Sequence, residues 1–216
     1  MKNILFFGDS NTWGYIAGSG KRYNEDTRWT GLCQKELGSE FVILEDGLNG
    51  RTTVYDDPVC PYKNGLTALG YTLTAQKPLD LVVLMLGTND FKFTDALGSA
   101  AGIDEIVRTL LNADYIYRQS DPIFSGSPKI LLVAPIAIGL SDLPEDEPIR
   151  RYGSTSVRLP ALCRNIGETR GVPFLNAAEI AAPSPVDGIH LGPEGHAALG
   201  KVIAAEIRAI LGDSRQ

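Results

Sequence analysis

The chain has 216 residues, 44% of them hydrophobic and 21% charged, with a formal net charge of −6. That length suffices for one domain, 1–216, with a substantial core, and an acidic balance with no basic stripe argues against a nucleic-acid partner. No apolar run approaches the roughly 20 residues of a membrane helix. Three widely spaced cysteines (Cys33, Cys60, Cys163) and only two histidines (His190, His196) suggest neither a disulfide framework nor a metal site, so no metal and no cofactor are expected. The N-terminus offers only Lys2 before a short apolar run, with no cleavage site after it, and a cytoplasmic protein is expected.

Five apolar runs are predicted as strands: residues 3–7 (NILFF), 41–44 (FVIL), 80–86 (DLVVLML), 129–133 (KILLV) and 172–175 (VPFL). They are continuous rather than alternating, as strands covered on both faces are. Helical patterns fill the gaps. A stripe at i, i+3, i+4 spacing runs over 29–37, and a cleaner one joins Ile103, Ile106, Val107, Leu110 and Leu111. Residues 158–169 read as helical with Pro160 at a start or kink, and a last helix starts near Pro193, where proline suits a first turn. Residues 15–27 and 53–65, rich in Gly, Pro, Asp and Asn, read as long loops of the kind that form lids or subunit contacts. The alternation predicts an α/β fold: a three-layer α/β/α sandwich around a five-stranded parallel sheet of order 2-1-3-4-5.

Ligands of such sheets bind beyond the carboxyl ends of the strands. The segments that follow the strands are GDS (8–10), EDGLNGRTT (45–53), GTND (87–90), APIAIG (134–139) and a longer loop ending in VDGIH (186–190). A serine hydroxyl needs a base to become a nucleophile. His190 is the better base of the two histidines, because Asp187 lies three residues before it in a glycine-containing turn and can hold one imidazole nitrogen while the other faces Ser10. Asn89 offers a side-chain N–H, and Gly50 and Ser10 offer backbone N–H groups, for the oxyanion of a tetrahedral intermediate. His196 is expected on the first turn of the last helix without a chemical part.

With FGDSNTWG, GLNGRTT, GTND and DGIH in this order, the chain resembles the SGNH (GDSL-type) hydrolase superfamily, whose catalytic blocks these segments match from Gly8 to His190. The resemblance implies a flavodoxin-like SGNH hydrolase fold, Ser10 as nucleophile, His190 as base, Asp187 as its orienting partner, and an oxyanion hole of Ser10, Gly50 and Asn89. Asn11 stands where the family's name has leucine, a neighbour of the nucleophile that is expected to order the turn through its own side chain. GDSNTWGY, RWTG, EDGLNGRTT and VVLMLGTND are further similar to the bacterial arylesterase and acyltransferase branch, which implies a small-molecule ester substrate, short acyl groups, acyl transfer as a side activity and assembly into homo-oligomers.

Trp13 is read either as core or as a wall of the acyl pocket, and Arg51 either as a substrate contact or as half of a structural ion pair. Tyr15, Phe91, Phe93, Ile136 and Ile138 are read either as plain packing or as further walls. The expectation is a serine esterase working through an acyl-Ser10. The alternative is a flavodoxin-like phosphate or nucleotide binder with SNTWG around the phosphate, although that segment lacks the glycine density of nucleotide loops and leaves DGIH without a purpose.

Overall fold

The computed structural model describes residues 1–118 and 120–212. Five parallel strands, β1 (Lys2–Gly8), β2 (Phe41–Gly47), β3 (Leu81–Met85), β4 (Ile130–Ala134) and β5 (Phe174–Asn176), form one sheet of order β2-β1-β3-β4-β5. The helices are α1 (Ser10–Trp13), α2 (Trp29–Leu37), α3 (Gly65–Gln76), α4 (Ala96–Leu111), α5 (Ala113–Tyr117), α6 (Leu159–Arg170) and α7 (Pro193–Leu211). Both the layering and the strand order match the prediction.

Side chains alternate across a strand, so a continuous apolar run feeds two cores at once. Leu5 and Phe7 of β1, Val82 and Leu84 of β3, and Ile130 and Leu132 of β4 meet α3, α4 and α6 on one face. Ile4 and Phe6, Leu81, Val83 and Met85, and Leu131 and Val133 meet α2 and α7 on the other. Phe6 stacks on Trp29 at 4.6 Å between ring centroids. Gly200 lets α7 close on α2, since a Cβ there would lie 2.8 Å from the Trp29 carbonyl oxygen.

The edges differ from the prediction. β2 continues three residues past the apolar run, through Glu45, Asp46 and Gly47. As an edge strand it is only partly covered, and its two acids find cations: Glu45 takes Arg22 and Arg28, and Asp46 takes Arg51. At the other edge the strand starts at Phe174 rather than at residue 172, because the Val172 N–H is held by the Gly167 carbonyl at the end of α6.

α3 was not anticipated. Its glycines (Gly65, Gly70) and threonines blur the helical stripe, yet Leu69 and Leu73 are fully buried and the Asn64 side chain caps the Thr67 N–H at 3.1 Å. α4 begins at Ala96, a full two turns before the stripe that announced it, where Asp95 accepts from the Leu97 and Gly98 N–H groups. Residues 15–28 and 53–64 are loops apart from one short 3-10 turn, Pro61–Lys63. No helix among the described residues is long and apolar enough to cross a membrane.

Candidate active site

β1 ends in a bend that only a small residue permits. A Cβ on Gly8 would lie 2.0 Å from Thr12 Oγ1 and 2.8 Å from the Met85 carbonyl oxygen. Asp9 then caps the single turn of α1, its Oδ1 accepting from the Asn11 N–H at 3.0 Å, and Ser10 is the first residue of that turn. Gly47 on the neighbouring strand is equally constrained, since a side chain there would meet the backbone of Thr12 and Trp13. The seat of Ser10 is therefore made of backbone in close contact.

The far end of the chain comes to it. His190 Nε2 lies 2.9 Å from Ser10 Oγ, and His190 Nδ1 lies 2.7 Å from Asp187 Oδ2. Asp187 Oδ1 also accepts from the backbone N–H groups of Ile189 and His190, at 3.1 and 3.0 Å. Burial pushes the Asp187 carboxyl up, but the imidazole hydrogen bond, the two backbone N–H groups and the charge of His190 outweigh it and hold the group below its ordinary value. Gly188, at φ +67°, turns between the two, with its carbonyl accepting from the Gly139 N–H at 2.8 Å. The Tyr15 ring stacks on the imidazole at 4.3 Å and 29°.

Asn11 does more than its own turn requires. Its Nδ2 donates to the Ile189 carbonyl at 3.2 Å, and its Oδ1 accepts from the Leu191 N–H at 2.9 Å. One amide thus grips the backbone on both sides of His190, where the sequence suggested a local turn bond. Its own carbonyl is held in turn by the Trp29 indole N–H at 2.9 Å.

Gly50 and Asn89 line the same cavity of about 210 Å³ as Ser10 and His190. Asn89 Nδ2 donates to the Arg51 carbonyl at 3.1 Å, which orients the amide beside the Gly50 turn. Among the described residues, neither the Ser10 nor the Gly50 backbone N–H donates to a protein acceptor. Asp90, buried, joins the two turns: it accepts from the Thr53 N–H at 2.8 Å, from Thr53 Oγ1 at 2.7 Å and from Ser99 Oγ at 3.0 Å. Burial pushes its carboxyl up to about 7, against those three hydrogen bonds, and likewise lifts buried Asp9 to about 6.

Of the two readings of Arg51 the structural ion pair holds, and Trp13, Phe91 and Ile136 do not line the cavity. Arg51 is 4% exposed, bonded to the Gly8 and Asp46 carbonyls and to the Asp46 carboxylate, and lies over the Phe7 ring at 4.2 Å, so it braces the ends of β1 and β2 and does not face the cavity. Phe91 and Ile136 are buried in the two cores on opposite sides of the sheet. Trp13 is half-buried under the Arg22 guanidinium, which also binds the Trp13 carbonyl and Glu45. Of the wall candidates Tyr15 does line the cavity, together with Asn49, Lys63, Lys92, Glu147, Ile149 and Ile189. Glu147 and Ile149 arrive on the segment between β4 and α6, about 140 residues from Ser10 along the chain, and no local signal announces them. His196 lies in the core, its Nδ1 accepting from the Trp29 N–H at 3.2 Å. Among the described residues no three His, Cys, Asp or Glu side chains converge as a metal site would require.

A parallel α/β sandwich with a Ser–His–Asp hydrogen-bonded chain at the carboxyl edge of its sheet is an architecture of hydrolases. Comparison with known proteins agrees: residues 6–198 match the model of the GDSL-like Lipase/Acylhydrolase family. The chain belongs to that family, and it is an ester-bond hydrolase. Among solved structures it is similar to a putative arylesterase from Agrobacterium tumefaciens str. C58, with 38% identity, TM-score 0.86, and 98% of this chain and 100% of that one covered. It is similar to the native aryl esterase of M. smegmatis at 34% identity and TM-score 0.87, over 98% of this chain and 100% of that one. Est24, a carbohydrate acetylesterase from Sinorhizobium meliloti, aligns at 33% identity and TM-score 0.86, over 97% of this chain and 99% of that one. No curated protein matches the sequence.

Proposed function

We propose that the protein is a serine esterase that cleaves small, short-acyl carboxylic esters through a covalent acyl-Ser10. His190 takes the Ser10 proton as Oγ attacks the ester carbonyl, and Asp187 holds the imidazole in the tautomer that leaves Nε2 free to accept it. The carbonyl oxygen, now anionic, is received by the Ser10 and Gly50 N–H groups and the Asn89 amide. Collapse of the intermediate expels the alcohol, which leaves with the proton from His190. Water, activated by the same imidazole, then attacks the acyl carbon and regenerates Ser10 Oγ–H. A competing alcohol in place of water makes the reaction acyl transfer.

The observation that carries this reading is the hydrogen-bonded chain from Ser10 Oγ through His190 to Asp187, at 2.9 and 2.7 Å. A cavity of about 210 Å³ suits an acetyl-sized acyl group better than a long chain. The arylesterase and carbohydrate acetylesterase neighbours are in keeping with an aryl or sugar ester. The test is p-nitrophenyl acetate turnover together with fluorophosphonate labelling. Ser10→Ala is expected to abolish both, with the label mapped to Ser10 in the unaltered protein; turnover that survives the substitution refutes the mechanism.

A further inference from the structure

At the neighbouring strand ends the cations are paired, Arg22 and Arg28 with Glu45 and Arg51 with Asp46. Lys63 and Lys92 are exceptions, and both line the Ser10 cavity. Each is half-buried, and among the described residues neither ammonium donates a hydrogen bond or sits within 4.0 Å of a carboxylate.

Their backbones sit in defined turns. Lys92 closes the 3-10 turn Thr88–Lys92 that carries Asn89. Lys63 closes the turn Pro61–Lys63, and its carbonyl accepts from the Thr52 N–H at 3.0 Å. Its side chain lies over Gly50: a Cβ there would be 2.8 Å from Lys63 Nζ and 3.1 Å from Cδ. The missing side chain of Gly50 is the space the lysine occupies, so an ammonium stands beside a turn that also offers a free N–H.

The nearby acids do not use up this charge. Glu147 lines the cavity, but its carboxylate accepts from the Ile149 N–H of its own turn and is not paired with either lysine. Asp57 feels both lysines only through space, from a carboxyl almost wholly in water. Six ammonium N–H donors are thus left at a partly dry wall, where an unpaired cation is costly and an incoming anion is favoured. A neutral acetyl ester uses none of them.

We propose that Lys63 and Lys92 form a carboxylate-binding wall, and that the esters this enzyme prefers carry a carboxylate close to the reacting carbonyl. The inference rests on the esterase reading. The charge sits either on the acyl part, as in a hemiester of a dicarboxylic acid, or on the alcohol part, as in an acylated hydroxy acid.

Two substrate pairs separate these sources: p-nitrophenyl hemisuccinate against its methyl ester, and 4-acetoxybenzoate against its methyl ester, each read as kcat/KM. The charged member of at least one pair is expected to be favoured by about tenfold at low ionic strength, with the advantage shrinking in molar salt. The Lys63→Met, Lys92→Met double variant is expected to erase that ratio. Equal rates for charged and neutral members in both pairs overturn the proposal, as does a preference that survives the double substitution. The comparison in the unaltered protein decides the matter even if a variant folds poorly. Failure of the esterase reading shows separately, as p-nitrophenyl acetate turnover that persists in Ser10→Ala.

Discussion

Asn11→Leu puts the family's namesake residue beside Ser10, and the structure predicts that it is costly here. The amide makes two buried bonds, to the Ile189 carbonyl at 3.2 Å and from the Leu191 N–H at 2.9 Å, and Asn11 is 2% exposed. A leucine leaves a buried acceptor and a buried donor against carbon, each costing about 1–3 kcal/mol. Burial of the new methyl groups offsets part of this, for a net loss of about 2–4 kcal/mol, read as a lower denaturant midpoint at unchanged m. Catalysis loses independently, because those bonds clamp the backbone on either side of His190. A misplacement of about 1 Å at a reacting group costs on the order of 100-fold in rate, so kcat for p-nitrophenyl acetate is expected to fall further than folded fraction explains. A leucine variant with unaltered midpoint and kcat refutes the clamp.

Gly188→Ala forces a side chain to 2.2 Å from the Gly139 carbonyl at φ +67°, and is expected to lower kcat at least tenfold by moving the Asp187–His190 turn; unchanged kcat counts against the tight turn. Tyr15→Leu removes the ring stacked on His190 and should cost roughly 2–10-fold in kcat, with Tyr15→Phe restoring it, since the imidazolium loses an aromatic face. Equal loss in both variants contradicts the stacking account. His196 is buried and held down to about 4 from an ordinary 6.5, so the native state binds fewer protons than the unfolded chain between those values and loses stability as pH falls through them, by about 3 kcal/mol in all. Asp9 and Asp90, raised to about 6 and about 7, act in the opposite direction as pH falls. Comparison with His196→Gln isolates the histidine: the stability gap between the two proteins should shift in favour of the variant from pH 6.5 to 4, and a constant gap rules the effect out.

The parts of the fold legible in the sequence were those whose residues carry their own signal. Ile4 to Phe7 read as a doubly covered strand because both faces are apolar, and Pro193 marked the start of α7 because proline's missing N–H is harmless there. β2 was read short because Glu45 and Asp46 look like loop residues until Arg22, Arg28 and Arg51 neutralise them from elsewhere in the chain. α3 escaped because Gly70 and the threonines depress local helix preference, which burial of Leu69 and Leu73 overrides. Arg51, adjacent to Gly50, is open in the sequence to a substrate contact or a structural ion pair. Backbone direction sends its side chain under the strand ends while the glycine faces the cavity.

By itself the sequence determined which residues are candidates for the site, because Ser10, Asn89, Asp187 and His190 each sit in a short block whose spacing belongs to a strand end or a tight turn. Only the tertiary structure decided what surrounds them. Asn11 reaches 180 residues along the chain to Leu191, Lys63 fills the space Gly50 leaves open, and Glu147 and Ile149 arrive from beyond β4. Local order is written in neighbouring residues, whereas a cavity wall is made wherever distant segments pack, and its identity is set by the sum of those contacts.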